Sequence, residues 1–273
     1  MPEKHLDLAA MTQKHRLSPE QIKTFHEMGW VTLNELFSEQ DLTLARSAFD
    51  RMAEEAKIVK TTQDHRGARF VLSEKSGEIV INRIVWAGGA EPDLLTLSED
   101  PRILIPVAQL LDSPEMDQLL SQAHYKLPGD GVSFAWHQDV QHRDKGPGTW
   151  KDINKTGSYV QTILLLDEMT EENGALQFIP GSSQWGRIFD AGYEYDTPLN
   201  EKQKPDAIDY SKAKTITGKA GSLVLFGPYT VHGSGANNST QSRRILINGY
   251  AYPGANSRVY PGKGSGRRIK VDF

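Results

Sequence analysis

The residues with the clearest chemical potential are a histidine and an aspartate two positions apart, His137 and Asp139. On a β-strand, residues i and i+2 point to the same face, so an imidazole nitrogen and a carboxylate oxygen would converge on one point. A second histidine from another strand, His232, would complete a set of two histidines and one carboxylate. This set is typical of non-haem Fe(II) sites, because three protein ligands leave coordination positions open.

Short strands are predicted to carry these ligands. From about residue 122 the sequence changes to brief apolar runs separated by turn residues. The clearest runs are residues 131–140, 158–166, 175–179, 222–226 and 243–251. His137 and Asp139 fall in the first of these runs, whereas His232 follows the run at 222–226. The candidate ligands therefore come from two different parts of the predicted strand region.

Helices are predicted in the N-terminal half of the chain. Ser18 is a good N-cap, because a proline and a glutamine follow it at the first and third helical positions, and Gly29 is a good C-terminal stop. Ser38 opens a second helix to about residue 56, and Asp100 opens a third. Helices followed by strands indicate an α+β fold, in which N-terminal helices brace a double-stranded β-helix, the jelly-roll or cupin-like barrel.

Composition sets broad limits on the class of protein. The chain has 273 residues, of which 38% are hydrophobic and 24% are charged, an ordinary composition for a globular protein. This length fits a single domain over residues 1–273, in which residues 1–16 are expected to form a flexible N-terminal segment. A net charge of −4 and a pI of about 6.1 do not favour a nucleic-acid or membrane partner. The absence of cysteine excludes disulfides and thiolate metal sites. With no signal core or apolar span visible, a cytoplasmic protein is expected. The oligomeric state stays open.

Three segments together resemble the phytanoyl-CoA dioxygenase family of Fe(II)/2-oxoglutarate oxygenases. They are the iron motif at 136–139, the run Asn-Gly-Ala-Leu-Gln-Phe-Ile-Pro-Gly at 173–181, and the run Val-His-Gly-Ser-Gly at 231–235 followed by Arg243. The similarity extends from about residue 17 to residue 252. It implies Fe(II) as the metal, 2-oxoglutarate as cosubstrate and O2 as oxidant, with a C–H bond oxidised while succinate and CO2 are released.

The resemblance also implies residues that contact the cosubstrate. Arg243 stands eleven residues after His232, as the family's arginine does, and a planar guanidinium suits a carboxylate. Arg244, its neighbour, should face the other way. Ser234 and Gln138 match family residue types near the same ligand. Two further cosubstrate candidates are Gln161, polar within an apolar strand, and Arg83, where the family often has a basic residue.

Other histidines and aromatic residues are weaker candidates. His142 is close enough to compete as a ligand, but its odd offset from His137 would place it on the opposite face if the strand continued. It is instead a candidate for substrate contact or lid closure, as are Trp150 and Phe134. His124 is expected to pack in the interior.

Two polar segments, 143–157 and 186–219, are unlike core and are candidates for lids or surface loops. The cations of the first, among them Arg143 and Lys145, suggest a small-molecule substrate that carries a negative group.

Asp139 points to hydroxylation, because halogenating relatives have a small residue at that place. Around Ile163 a tryptophan is frequent in the name-giving group, so the aliphatic strand here disfavours a fatty acyl-CoA substrate.

Two alternatives remain open from the sequence. One is a cupin-like metal enzyme that does not use 2-oxoglutarate, which Arg243 and Ser234 argue against because such an enzyme needs no carboxylate clamp. The other is a non-catalytic jelly-roll binding protein, which the intact ligand set argues against.

Overall fold

The computed structural model describes residues 13–146, 148–189 and 208–272 of the chain. The predicted flexible segment 1–16 and the candidate lid 186–219 therefore lie mostly outside the described residues. Within the described part, no helix combines the length and the apolar character that a membrane crossing requires.

The first helix, α1 (Pro19–Met28), forms as its end signals predict. The Ser18 side chain accepts from the backbone N–H of Gln21, and the Gln21 side chain accepts from the backbone N–H of Ser18. Gly29 ends the helix at φ +97°, a left-handed conformation that costs glycine little. The chain then enters β1 (Trp30–Leu33) directly.

The other long helices also begin at their predicted caps. The side chain of Ser38 caps α2 (Glu39–Val59), and a proline at the first position follows the Asp100 cap of the third long helix. The helices that follow α2 are α3 (Ala87–Ala90), α4 (Pro92–Ser98) and α5 (Pro101–Leu111). Apolar faces of α1, α2 and α5 pack in one buried cluster with residues of the large sheet.

The large sheet is antiparallel. Besides β1, its strands are β2 (Gln63–His65), β3 (Ala68–Lys75), β4 (Glu78–Val85), β5 (Glu115–Lys126), β7 (Tyr159–Leu165), β10 (Leu223–Phe226), β12 (Arg243–Ala251) and β13 (Arg267–Lys270). They follow the order β1-β10-β7-β12-β5-β4-β3-β2, and β13 also pairs with β5.

A smaller antiparallel sheet faces the large one. It has the order β6-β11-β8-β9 and consists of β6 (Phe134–His137), β11 (His232–Ser234), β8 (Leu176–Phe178) and β9 (Lys214–Ile216). Apolar side chains from both sheets share one buried cluster. The predicted α+β architecture, with helices bracing a jelly roll, is confirmed.

Alternation along β7 shows how the large sheet separates its two faces. Val160 and Leu164 belong to the cluster with the helices, whereas Ile163 and Leu165 belong to the cluster between the sheets. Gln161 has the same parity as Ile163, so its side chain also points between the sheets. The functional site lies in this space.

We expect Gly221→Ala to lower the free energy of unfolding by roughly 2–5 kcal/mol, since it combines a left-handed φ with a steric overlap. Gly221 has φ +85°, and an added Cβ would overlap the carbonyl oxygen of Phe37. The Phe37 N–H donates to the Gly221 carbonyl at 3.0 Å, so the two backbones cannot separate without losing that bond. Urea unfolding measures the effect. Gly77→Ala is the matched control, because Gly77 also has φ +85° but no heavy atom within 4 Å of the added Cβ. Equal costs for the two variants would contradict the steric argument.

Candidate functional site

Paired ends of two strands bring the three candidate ligands together. His137 is the last residue of β6 and His232 is the first of β11, and the two are register partners in the small sheet. Their ring centroids are 4.1 Å apart. Asp139 follows two residues later, with its Oδ1 3.9 Å from His137 Nε2. One ligand atom from each residue lies within 4.8 Å of the others.

Hydrogen bonds fix the orientation of both imidazoles. His137 Nδ1 donates to the Ala135 carbonyl at 2.8 Å, and His232 Nδ1 donates to the Thr230 carbonyl at 2.9 Å. These bonds hold the proton on Nδ1 and leave each Nε2 with a lone pair directed at the site. A metal-binding histidine needs this tautomer.

Burial gives the two imidazoles the protonation state that a metal needs. It lowers the pKa of His137 to about 3, with the neighbouring His232 as the next cause, and it also lowers the pKa of His232. Both imidazoles are therefore neutral at neutral pH. Asp139 Oδ2 is buried and has no hydrogen-bond partner among the described residues. A buried carboxylate oxygen without a donor fits a cation at this point.

The strand ends earlier than predicted, and this changes the position of His142. The backbone at Asp139 is helical, with φ −62° and ψ −28°, and α6 (Val140–Arg143) follows. His142 is therefore not on the opposite face of a strand. Its ring centroid lies 5.6 Å from that of His137, and its side chain lines the same cavity. The opposite-face placement was expected only for a strand that continued to His142, and the strand does not continue; the candidacy of His142 as a substrate contact stays a prediction.

Arg243 stands at the start of β12 with its side chain in the cavity. The side chain is buried, and Nη2 donates to the Gly174 carbonyl at 2.9 Å. Nε and Nη1 are buried without a hydrogen-bond partner among the described residues. Burial lowers the pKa of Arg243 to about 10, so the guanidinium remains charged at neutral pH. It therefore presents two unused donors to any anion in the cavity.

Ser234 and the buried Lys126 lie beside this guanidinium. Lys126 Nζ donates to Ser234 Oγ at 2.7 Å and contacts the carbonyls of Gly174 and Gly235. Burial, and then the charge of Arg243, lower the pKa of Lys126 to about 6. When Lys126 is protonated it donates to all three acceptors, Ser234 Oγ accepts from it, and the proton of Ser234 is then available to a second acceptor in the cavity.

Arg244 faces away from the cavity, as the alternation along the strand predicts. Its guanidinium makes two hydrogen bonds to Asp167, each at 2.9 Å, and one to Asp50 at 2.7 Å. The two adjacent arginines therefore have separate surroundings.

Three of the weaker candidates also line the cavity: Arg83, Phe134 and Gln161. Phe134 stacks on the ring of His124 with centroids 4.9 Å apart. Gln161 Oε1 accepts from Arg143 Nη2 at 3.2 Å and from the Tyr159 hydroxyl. Gln161 is thus a hydrogen-bond partner of Arg143.

Gln138 does not line the cavity. Its amide donates to the carbonyls of Gly186 and Tyr229, and its Oε1 accepts from the backbone N–H of Ile188. Because its neighbours on both sides point into the cavity, its side chain points out of it. The structure therefore does not place the Gln138 side chain where it could make the predicted contact with the cosubstrate. The residue ties the segment after Trp185 to the strand that carries His232.

Trp150 also lies away from the cavity. Its backbone pairs with Asn256, and its ring packs against Tyr159 with centroids 6.1 Å apart. Backbone hydrogen bonds on both sides, from Lys151 to Ala255 and from Ser257 to Thr149, hold the segment in that place. The structure therefore does not bring Trp150 over the metal ligands. Closure of this segment stays a prediction.

Four polar residues near the ligands were not predicted as site residues. Gln122, His124 and Arg143 line the cavity, and Lys126 contacts Ser234. Three of them alternate on β5, so polar residues at period 2 within an apolar strand were the signal that identifies them. His124 packs in the interior, as expected, with its ring stacked on Phe134, and it also lines the cavity.

The cavity between the sheets has a volume of about 840 Å³, including its open mouth. Among the described residues its lining contains three arginines, Arg83, Arg143 and Arg243, but one carboxylate, Asp139. The site is therefore built to receive anions.

We expect the metal-free protein to lose stability as the pH falls below about 6.5, because buried neutral histidines must be protonated on unfolding. The pKa of His124 is lowered well below 6.5 by burial and then by Arg83, so below pH 6.5 the unfolded chain binds more protons than the folded one. Stability then rises with pH across that window. His124→Gln should reduce the slope by up to about 1.4 kcal/mol per pH unit, measured by urea unfolding at several pH values. His26→Gln, at an exposed position on α1, is the control. An unchanged slope in His124→Gln would show that this histidine does not contribute.

Two imidazoles and one carboxylate that converge between the two sheets are the set of side chains typical of non-haem iron oxygenases. The family model for phytanoyl-CoA dioxygenase (PhyH) matches residues 25–245. The chain belongs to this family, and the resemblance seen in the sequence is confirmed.

Relatives of known activity agree with this assignment. An ectoine dioxygenase of Bordetella bronchiseptica is 28% identical over 240 residues, which cover 83% of this chain and 73% of the relative. An L-proline trans-4-hydroxylase of Streptomyces griseoviridis is 27% identical over 241 residues, covering 80% and 81%. The crystal structure of EctD from S. alaskensis with 2-oxoglutarate and 5-hydroxyectoine superposes with a TM-score of 0.68 at 23% identity, covering 92% of this chain and 82% of that one.

The protein is therefore an Fe(II)- and 2-oxoglutarate-dependent dioxygenase, and the predicted activity is confirmed at this level. The named relatives act on small molecules.

Proposed function

We propose that His137, Asp139 and His232 bind the iron, that Arg243 and Ser234 bind 2-oxoglutarate, and that the enzyme hydroxylates a small substrate carrying a negative group. The observation that carries the proposal is the convergence of two neutral imidazoles and a carboxylate oxygen without a donor, beside an arginine with two unused donors. When bound, iron, 2-oxoglutarate and O2 supply the oxidation of an unactivated C–H bond with release of succinate and CO2.

Each side chain has a defined task in this proposal. The backbone carbonyls of Ala135 and Thr230 orient the two imidazoles, so little rearrangement is needed when the metal binds. Arg243 meets one carboxylate of 2-oxoglutarate with two parallel N–H donors, the arrangement that gives such contacts strength and direction. Ser234 donates its hydroxyl proton to the same ligand while accepting from Lys126.

The excess of arginine over carboxylate in the cavity supports a negatively charged substrate. Asp139 is engaged by the metal, and Arg243 is engaged by the cosubstrate. Two arginines of the lining, Arg83 and Arg143, then remain beside the space for the substrate. Two further cations of the segment 143–157, Lys151 and Lys155, are exposed and do not line the cavity.

The test is the visible spectrum of the anaerobic protein with Fe(II) and 2-oxoglutarate. Chelation of iron by the keto acid should produce a charge-transfer band that neither Fe(II) nor 2-oxoglutarate gives alone. Succinate in place of 2-oxoglutarate is the control, because it has no keto group. Absence of the band at saturating iron would favour a cupin-like metal enzyme that does not use 2-oxoglutarate, or a binding protein.

A further inference from the structure

A buried arginine stands one helical turn after the metal-binding aspartate. Arg143 is the last residue of α6 and follows Asp139 by four positions, so the two side chains lie on the same side of the turn. Arg143 Nη2 is 3.8 Å from Asp139 Oδ1, and the side chain is 3% exposed. A fixed positive charge therefore lies directly beside the proposed metal position.

Neutral groups hold this guanidinium in place. Its Nη2 donates to the Tyr159 hydroxyl at 2.9 Å and to Gln161 Oε1 at 3.2 Å. Its Cζ lies 4.8 Å from the ring centroid of Tyr159 and 5.8 Å from that of Tyr260. These contacts fix the orientation of the guanidinium, and the tyrosine and glutamine side chains that make them are neutral.

The charge balance around Arg143 changes when a metal binds. A buried cation is costly unless an anion lies close to it, and Asp139 is the carboxylate that the described lining offers. A divalent cation bound to Asp139 would neutralise the carboxylate charge that faces Arg143, and it would itself repel the guanidinium. The loaded site therefore favours the arrival of another anion next to Arg143.

We infer that Arg143 forms the subsite for the negative group of the substrate, a carboxylate held beside the iron. This inference rests on the proposed function and narrows its substrate class. Because Arg143 lies so close to a metal ligand, the carbon to be oxidised must be only a few bonds from the carboxylate. The substrate class is thus small carboxylic acids, such as amino or hydroxy acids, rather than long-chain thioesters.

The test uses a small carboxylate probe and a paramagnetic metal. The full-length protein is loaded with Co(II), which imidazole and carboxylate ligands accept, and with N-oxalylglycine as an inert substitute for 2-oxoglutarate. Trifluoroacetate is then added, and its ¹⁹F relaxation is measured. We expect strong paramagnetic relaxation by the wild-type protein and little for trifluoroacetamide, which is neutral and of similar size.

Substitutions connect the signal to Arg143. Arg143→Gln should weaken trifluoroacetate binding about tenfold or more, as expected for the loss of a hydrogen bond to a charged group, while the affinity for N-oxalylglycine stays within about twofold. Arg143→Lys, which keeps the charge, should retain part of the binding. Arg258→Gln is the matched control. Arg258 also lies over Tyr260, at 4.7 Å, and bonds the His142 carbonyl, but it does not line the cavity.

Three results would overturn the inference. The first is wild-type protein that binds N-oxalylglycine but does not relax the fluorine. The second is equal relaxation by Arg143→Gln. The third is a loss of N-oxalylglycine affinity in Arg143→Gln, which would assign the residue to the cosubstrate. If N-oxalylglycine leaves the Co(II) absorption spectrum unchanged in the wild type, the proposed function itself fails, and that result is distinct from the other three.

Discussion

Replacing His137, Asp139 or His232 by alanine is expected to reduce succinate release to background and to abolish iron retention. Each side chain supplies one of three ligand atoms within 4.8 Å of each other, and the open positions of the metal are reserved for 2-oxoglutarate and O2. Removal of one protein ligand weakens iron binding, so iron is expected to be lost to the solvent on desalting. Iron per chain after desalting and succinate release are the two measurements.

His142→Ala is the control for this prediction. Its ring centroid lies 5.6 Å from that of His137 in the same cavity, and it is partly buried, but it is outside the group of three ligands. The variant should therefore retain iron as the wild type does. Iron loss in His142→Ala equal to that in a ligand variant, or full retention in any of the three ligand variants, would contradict the assignment.

Sequence reasoning succeeded where a strand is long and paired on both sides. β12 spans nine residues between β5 and β7, so the alternation of side chains is maintained along it. Arg243 therefore points into the cavity and Arg244 points to Asp167, as period 2 predicts. The helix boundaries at Ser18 and Gly29 were predictable for a similar reason, because local hydrogen bonds decide them.

The same reasoning failed where a strand ends within the motif. β6 stops at His137, and the helical backbone of Asp139 turns the chain back over the site. His142 and Arg143 enter the cavity only because of this turn. No local signal marks it, because the buried contact of Arg143 with Tyr159 joins residues brought together by the tertiary fold. Gln138, in contrast, could have been excluded from the site, since it alternates with two inward-facing ligands.

Residues of β5 show a different limit. The strand is twelve residues long, and its polar positions at 122, 124 and 126 follow strict alternation. Period 2 places them on one face, but it does not say which face of the sheet meets the cavity. Pairing with β12, where Arg243 lies opposite Lys126, settles the question, and that pairing is long-range.

Arg243→Ala is expected to raise the KM for 2-oxoglutarate roughly 30- to 1000-fold while changing the KM for the substrate much less. The guanidinium is buried, remains charged at neutral pH and has two donors without partners among the described residues. Loss of a two-pronged, charge-assisted contact in such a place costs roughly 2–4 kcal/mol. Titration of the charge-transfer band under anaerobic conditions gives the dissociation constant directly, so that binding is separated from turnover.

The adjacent arginine provides the control, because Arg244→Ala removes the same side chain from the opposite face of the same strand. Arg244 binds Asp167 and Asp50, so its loss should lower the free energy of unfolding and leave the affinity for 2-oxoglutarate within about twofold. Arg243→Lys should be intermediate, since a lysine keeps the charge but lacks the two parallel donors. A larger effect on 2-oxoglutarate binding in Arg244→Ala than in Arg243→Ala would mean that the clamp for the cosubstrate lies elsewhere. In that case Lys126, which already bonds Ser234, would be the next residue to test.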